Sequence, residues 1–409
     1  MTESEKSFRT SFGLKGIVQH QLDQSYHSPL IDKIRAAGFL LKTGRLEIHL
    51  AKEFGFCYGV ERAVEYAYET RARFPDRRIF LTNEIIHNPR VNAELQGMGV
   101  KILTDDASRS EITEKDVVIM PAFGVPVEAL REFEKKRCVI VDTTCGSVMS
   151  VWRRVESYSQ DGFTSVIHGK YDHEETRATC SRAVKYLVVK DKAQAEQVCK
   201  YIAGDPAGAW QKTPGGKRGT FLEKFKSACS EGFDPDKDLG KIGFANQTTM
   251  LSRESIEISE MLREALRARY GEAELQVRFR HFDTICSATQ DRQDAIRKLG
   301  EKKMNVILVI GGYKSSNTGH LAEIASEFCP AYHVEDASAI VSREKIRHKK
   351  TGAQEIVETE GWLQKRGQAP FFTETKKISD PLQIGITAGA STPNRVVEEV
   401  IQRLIDISG

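Results

Sequence analysis

The chain has 409 residues, 40% of them hydrophobic, which is enough length for two or three domains. Lys plus Arg number 60 against 57 Asp plus Glu, so no polybasic character marks nucleic acid as a partner, and no apolar run approaches a membrane span. The N-terminus lacks a basic start followed by an apolar core, and its acidic residues disfavour a transit peptide, so a cytoplasmic protein with an N-terminal extension over residues 1–45 is expected.

In chain order, a first α/β unit over residues 46–143 opens with Gly55-Phe56-Cys57, continues as a helical stretch to about Thr70, and passes Ile79-Phe80-Leu81 to reach His87-Asn88. Its second apolar run, Val117 to Met120, leads into Pro121-Ala122-Phe123-Gly124. A second unit over 144–270 starts at Cys145, passes Ser165-Val166-Ile167 to His173-Glu174-Glu175, and later runs from Ile242-Gly243-Phe244 into Gln247-Thr248-Thr249. A third over 271–391 carries Cys286, then Val306 to Val309 into Ser315-Ser316-Asn317, then Ile384-Gly385-Ile386 into Ala388-Gly389-Ala390-Ser391. Residues 392–409 read as a C-terminal helix.

The three stretches are copies of one pattern. From each cysteine to His87, His173 and Ser315 the separations are 30, 28 and 29 residues. From each cysteine to Phe123, Thr248 and Ser391 they are 66, 103 and 105, so the second and third units carry insertions. Composition locates them near 204–241, rich in Gly, Pro and Lys, and near 336–381, basic and then rich in Gln and Thr. Both read as surface additions, because loops tolerate insertion.

Eight cysteines in a reducing compartment are not expected to pair as disulfides. Cys138, Cys180, Cys199, Cys229 and Cys329 lack the repeated context and read as buried or incidental thiols. Cys57, Cys145 and Cys286 each follow a short apolar stretch and precede a helix. In α/β units functional side chains gather at the carboxyl ends of strands. Three similar units in a pseudo-threefold, trefoil arrangement would therefore bring three thiolates to one point. No C-x-x-C pair is present, and a structural zinc site needs four protein ligands. A [4Fe–4S] cluster held by cysteine alone takes four thiolates, so three leave one iron without a protein ligand. Three alternatives stay open: core cysteines made similar by duplication alone, a redox sensor without catalysis, and a hydratase using an open iron without net electron transfer.

The loops offer His87, Asn88, His173, Thr248, Ser315, Ser316, Asn317 and Ser391, neutral donors suited to phosphate-like oxygens, and several of them open helices whose N–H groups favour anions. Glu175 is the exception, and a carboxylate beside a cluster and a phosphate is expected to hold its proton and to donate it. Simple capping by the serines, threonines and histidines is compatible with these roles. Gly311-Gly312-Tyr313-Lys314-Ser315 lacks the spacing of a phosphate-binding P-loop.

Gly55-Phe56-Cys57, Glu84-Ile85-Ile86-His87-Asn88, Asp142-Thr143-Thr144-Cys145, Gln247-Thr248-Thr249, Ile285-Cys286, Ser315-Ser316-Asn317-Thr318 and Ala388-Gly389-Ala390-Ser391 together resemble the IspH/LytB family. That resemblance runs from about residue 49 to 405, and the insertions and N-terminal extension resemble the longer branch typical of cyanobacteria and plastids. It implies an iron–sulfur oxidoreductase that converts 4-hydroxy-3-methylbut-2-enyl diphosphate to isopentenyl and dimethylallyl diphosphate, the last step of the non-mevalonate route to isoprenoids. It also implies one [4Fe–4S] cluster per chain on Cys57, Cys145 and Cys286, with one iron lacking a protein ligand. The allylic diphosphate is expected on His87, His173, Thr248, Ser315, Ser316, Asn317 and Ser391, with Glu175 and Thr248 in catalysis and reduced ferredoxin or flavodoxin as electron donor. Two positions depart from shorter members: Phe123 replaces an expected anion-binding histidine, and Glu174 replaces a proline before Glu175.

Overall fold

The computed structural model describes residues 7–103, 106–204, 216–363 and 381–408. Residues 1–6 of the expected extension, 205–215 and 364–380 of the two expected insertions, and residue 409 lie outside the described residues. The fold is α/β, as expected, and among the described residues no helix is long and apolar enough to cross a membrane.

Two compact units divide the chain. One combines Phe8–Ser108 with Ser287–Gly409, and the second is built on Arg109–Cys286. The first contains a seven-stranded sheet centred on Val306–Ile310, Leu382–Ala388 and Leu46–Leu50, all parallel to one another. Val306–Ile310 is wholly buried and reads as a continuous β-branched and leucine run, which is how a strand covered on both faces reads. Helix Asn394–Ser408 lies over it, burying Val396, Val397, Val400, Ile401 and Leu404 at helical spacing, each contributing about 2 kcal/mol of apolar burial. The unit also holds the parallel pair Ile79–Leu81 and Val100–Ile102.

The second unit contains a four-stranded parallel sheet in the order Phe279–His281, Ile242–Asn246, Thr164–His168, Tyr186–Val189, together with the parallel pair Val117–Met120 and Val139–Asp142. At Gly243 a Cβ would stand 2.4 Å from the Tyr158 ring, so only glycine lets helix Gly146–Gln160 approach this strand.

Sheet membership differs from the sequence-based borders. Strand Leu46–Leu50 joins the sheet of the expected third unit, and Phe279–His281 joins that of the second. Each repeat cysteine therefore follows a strand that completes the preceding sheet. The pattern of apolar residues specifies a strand but not its neighbour, which here lies hundreds of residues away.

The insertions also differ from their expected surface character. Phe221 and Phe225 on helix Gly216–Lys224 and its extension, with Phe233 and Leu239, are buried in the core beside Tyr201. Residues 336–363 add the antiparallel pair Lys345–Lys349 and Ile356–Glu360 and bury Ile346, Trp362 and Leu363. Aromatic and apolar side chains scattered among charged ones supply that burial without any helical or strand period.

Residues 11–14 of the N-terminal extension are held by one carboxylate. Glu69, fully buried on helix Tyr58–Arg73, accepts Ser11 Oγ at 2.9 Å, Phe12 N at 2.7 Å and Leu14 N at 3.1 Å. Hydrogen bonds to a charged acceptor contribute about 1.5–3 kcal/mol each. Glu69→Ala is expected to lower stability by about 3 kcal/mol, since part of that sum is recovered by water. Limited proteolysis should then cut within residues 8–14 of the variant first, and an unchanged cleavage pattern would show that other contacts hold the extension.

Candidate functional site

Each repeat cysteine sits where a helix begins. Cys57 and Cys145 are the N-cap residues of Tyr58–Arg73 and Gly146–Gln160, both with extended backbone, and Cys286 directly precedes Ser287–Gly300. The partial positive charge of a helix N-terminus favours an anionic ligand there. All three are half-buried, and each of the eight cysteines is a thiol. Their main-chain N–H groups repeat one contact: Cys57 N donates to Ala390 O at 3.1 Å, Cys145 N to Ala122 O at 2.8 Å, and Cys286 N to Thr248 O at 3.3 Å. Every acceptor lies in the loop after the second apolar run of the preceding copy, so cysteine and polar loop are built as one piece. Cys138, Cys180 and Cys329 are buried, and burial pushes the Cys180 and Cys199 thiols up to about 12, unlike the environment of a thiolate ligand.

In the unit of Phe8–Ser108 and Ser287–Gly409, five expected site residues come together. Ser315 caps helix Ser316–Ser326, its Oγ accepting Thr318 N at 3.3 Å. Asn317 Oδ1 accepts Ala390 N at 2.9 Å, and Ser391 Oγ donates to His87 O at 3.4 Å, tying the three loops together. Ser316 Oγ and Asn317 Nδ2 are buried with no hydrogen-bond partner among the described residues. The two buried donors stand at the N-terminus of an eleven-residue helix, where free main-chain N–H groups add to the same donor set. His87 Nδ1 lies 3.1 Å from Glu84 Oε2, and Glu84 also receives Lys314 Nζ at 2.9 Å. These two contacts, the histidine first, hold the Glu84 carboxyl below the usual range despite burial. Gly312 passes so close to the His87 loop that a Cβ there would meet His87 O at 2.4 Å.

In the unit of Arg109–Cys286, Glu175 and Thr248 form a pair. Glu175 is 3% exposed and Thr248 5%. Thr248 N donates to Glu175 Oε1 at 2.6 Å and Thr248 Oγ1 donates to Oε2 at 3.0 Å. His173 is the N-cap of Glu174–Cys180, with Nδ1 accepting Glu175 N at 3.2 Å, so the histidine also fixes the start of the acid's helix. Thr248 is not a cap, because helix Ser252–Tyr270 begins after Leu251. Phe123, in place of the expected histidine, is buried and packs edge-on against the His173 ring at 6.2 Å.

Three residues to which the sequence pattern assigns no role, Gln247, Glu84 and Gly312, also shape the site. Buried Gln247 accepts Lys170 N at 3.0 Å and Thr176 Oγ1 at 3.1 Å through Oε1, and donates to Thr249 Oγ1 at 2.9 Å, linking the His173 and Thr248 loops. Its place inside Gln247-Thr248-Thr249 was the available signal.

A family model described as LytB protein matches residues 48–405. The chain is 46% identical to the 4-hydroxy-3-methylbut-2-enyl diphosphate reductase of Gloeobacter violaceus, over 100% of this chain and 94% of that protein. It is 45% identical to the reductase of the same name from a Synechococcus strain, over 99% and 96%. In fold it is similar to the solved (E)-4-hydroxy-3-methyl-but-2-enyl diphosphate reductase, described as the terminal enzyme of the non-mevalonate pathway, with 24% identity, TM-score 0.50, and 88% and 99% of the two chains covered. The solved E-1-hydroxy-2-methyl-but-2-enyl-4-diphosphate reductase of Plasmodium falciparum matches at 18% identity and TM-score 0.60, covering 88% of each chain.

Proposed function

The chain belongs to the LytB protein family, and because relatives matched over nearly their whole length are 4-hydroxy-3-methylbut-2-enyl diphosphate reductases, we propose that it reduces that allylic diphosphate. The reaction takes up two electrons and two protons, releases the hydroxyl as water, and leaves isopentenyl or dimethylallyl diphosphate. The observation that carries this reading is the buried pair of Glu175 and Thr248, the Thr248 carbonyl also receiving the Cys286 N–H.

The donor set fits an iron–sulfur cluster: three half-buried thiols at helix starts, with no fourth cysteine in the repeated context. Cys57, Cys145 and Cys286 would hold it. When bound, a [4Fe–4S] cluster supplies single electrons and, at the iron without a thiolate, a Lewis acid. The diphosphate would be held by Ser315, Ser316, Asn317, Ser391 and His87, with His173 as a further donor, and the two unpartnered donors on Ser316 and Asn317 support that assignment. Holding the diphosphate fixes the position of the reacting carbon, so that binding remote from the reaction serves the chemical step. Once protonated, Glu175 would donate from Oε2 to Thr248 Oγ1, reversing the direction of their 3.0 Å contact, and the threonine hydroxyl would pass its own proton to the departing hydroxyl. Electrons would arrive from reduced ferredoxin or flavodoxin in the cytoplasm.

Protein purified without oxygen is expected to be brown and to oxidise reduced viologen only when the allylic diphosphate is added. A colourless protein with one zinc per chain and no such oxidation overturns the reading. Cys286→Ser is expected to lose most of its iron on oxygen-free purification while keeping its circular dichroism. Iron content equal to the parent protein would remove Cys286 from the ligand set.

A further inference from the structure

An exposed aromatic side chain held by its neighbours precedes the third repeat cysteine in sequence. Phe282, four residues before Cys286, is 41% exposed, yet its ring is fixed by stacking on Tyr158 with centroids 6.4 Å apart and by the Arg154 guanidinium 3.9 Å above it. Arg154 sits on helix Gly146–Gln160, which begins at Cys145, so this surface is built from the two segments that leave Cys145 and enter Cys286. Next to it Lys241 and Arg280 cover Phe163 at 4.2 and 4.4 Å.

The charge of the patch follows from its partners. Arg280 is neutralised by Asp161. Arg153 reaches Ser150 Oγ, Arg154 faces the Phe282 ring and Lys241 donates to the Asp161 carbonyl, none of which cancels a charge. Against these three cations stands Asp283, whose carboxylate accepts Ile285 N. The patch is therefore net positive around a rigid apolar ring, and it lies at the edge strand of the four-stranded sheet. A partner of opposite charge with an apolar spot is complementary to it, and rigid aromatic and arginine side chains are what such interfaces are built around.

We propose that the surface formed by Phe282, Arg153, Arg154 and Lys241 docks an acidic one-electron carrier protein of the iron–sulfur or flavin class. This rests on the reductase reading, which requires an external reductant: each docked carrier gives up one electron and leaves oxidised by one, and two such visits match the two electrons and two protons taken up per water released. Docking here places the carrier on the helix that leaves Cys145 and on the segment that enters Cys286.

The test compares donors. Arg153→Glu combined with Arg154→Glu, both exposed positions, is expected to weaken binding of an oxidised plant-type [2Fe–2S] ferredoxin, measured by calorimetric titration at low salt, by about tenfold. Ferredoxin-driven turnover should fall in parallel, while turnover with reduced viologen stays at the parent rate. Raising ionic strength should weaken the parent complex and leave the variant little changed. Phe282→Ala provides a second variant that removes the ring without reversing charge and should weaken the same titration. Ferredoxin affinity and ferredoxin-driven rate equal to the parent in both variants would overturn the assignment of this surface. Absence of viologen-driven turnover in the parent would instead strike the reductase reading, and the titration would still decide the surface.

Discussion

Glu175→Gln is expected to lower turnover of the allylic diphosphate by about a hundredfold to ten-thousandfold, the range in which a positioned proton donor contributes. The amide is nearly isosteric, and its oxygen can still accept either the Thr248 N–H or the hydroxyl, so the loop that also receives the Cys286 N–H keeps its shape. The transferable proton is what disappears. Iron content should therefore match the parent, and KM should change little, because Ser315, Ser316, Asn317, Ser391 and His87 lie in other loops and the amide leaves the main-chain Glu175 N–H on His173 in place. Rates with reduced viologen and iron determination on the same sample check both halves, and a fully active variant would end the role of Glu175 as proton donor. Thr248→Ala should show the same pattern to a lesser degree, since water can replace a hydroxyl in a relay more readily than an amide can replace an acid.

Gly312→Ala is expected to lower kcat/KM by about a hundredfold, because a misplacement of an ångström in a positioning group costs on that order. The added Cβ would meet His87 O at 2.4 Å, His87 C at 3.2 Å and Pro89 Cδ at 3.4 Å, so the obstacle is main chain rather than a side chain able to swing aside. The His87 loop, which Ser391 Oγ also contacts, must retreat. Thermal stability should fall as well, by about 1–3 kcal/mol, as overpacking usually costs. Gly319→Ala supplies the comparison: it lies on helix Ser316–Ser326, its Cβ meets nothing within 4 Å, and it should stabilise by up to about 1 kcal/mol with activity retained. Equal kcat/KM for Gly312→Ala and the parent would detach His87 from substrate binding.

Much of the candidate site was legible because its signals are local. Cys57, Cys145 and Cys286 each announce a strand-to-helix turn, and Ser315 and Asn88 announce helix starts, which the structure bears out as N-caps. What escaped depends on partners distant in sequence. Nothing near Glu69 distinguishes it from Glu61 or Glu65 on the same helix, and only residues 11–14 turn it into a buried anchor. Gly312 lies in a glycine pair that first had to be separated from a P-loop pattern, and its importance comes from a loop more than two hundred residues earlier. Phe221, Phe225 and Phe233 were hidden among glycines and lysines whose composition reads as solvent-exposed, yet three rings spaced by four and eight residues are enough to draw the segment into the core. Phe123 was noticed as a departure, but its packing against His173 could be seen only once both loops were in place.

The late completion of the sheet that receives Leu46–Leu50 sets a timetable for synthesis. Glu47 on that strand contacts Gln383, 336 residues further along, and Cys57 N finds its acceptor only at Ala390. At a ribosomal pace of about 5–20 residues per second, strand Leu46–Leu50 waits roughly 20 to 70 seconds before its parallel neighbour Leu382–Ala388 exists. During that interval one of its edges is covered by the antiparallel strand Leu40–Thr43 and the other is open, so binding by a holding chaperone should persist on the nascent chain until Leu382–Ala388 has left the tunnel and then decline.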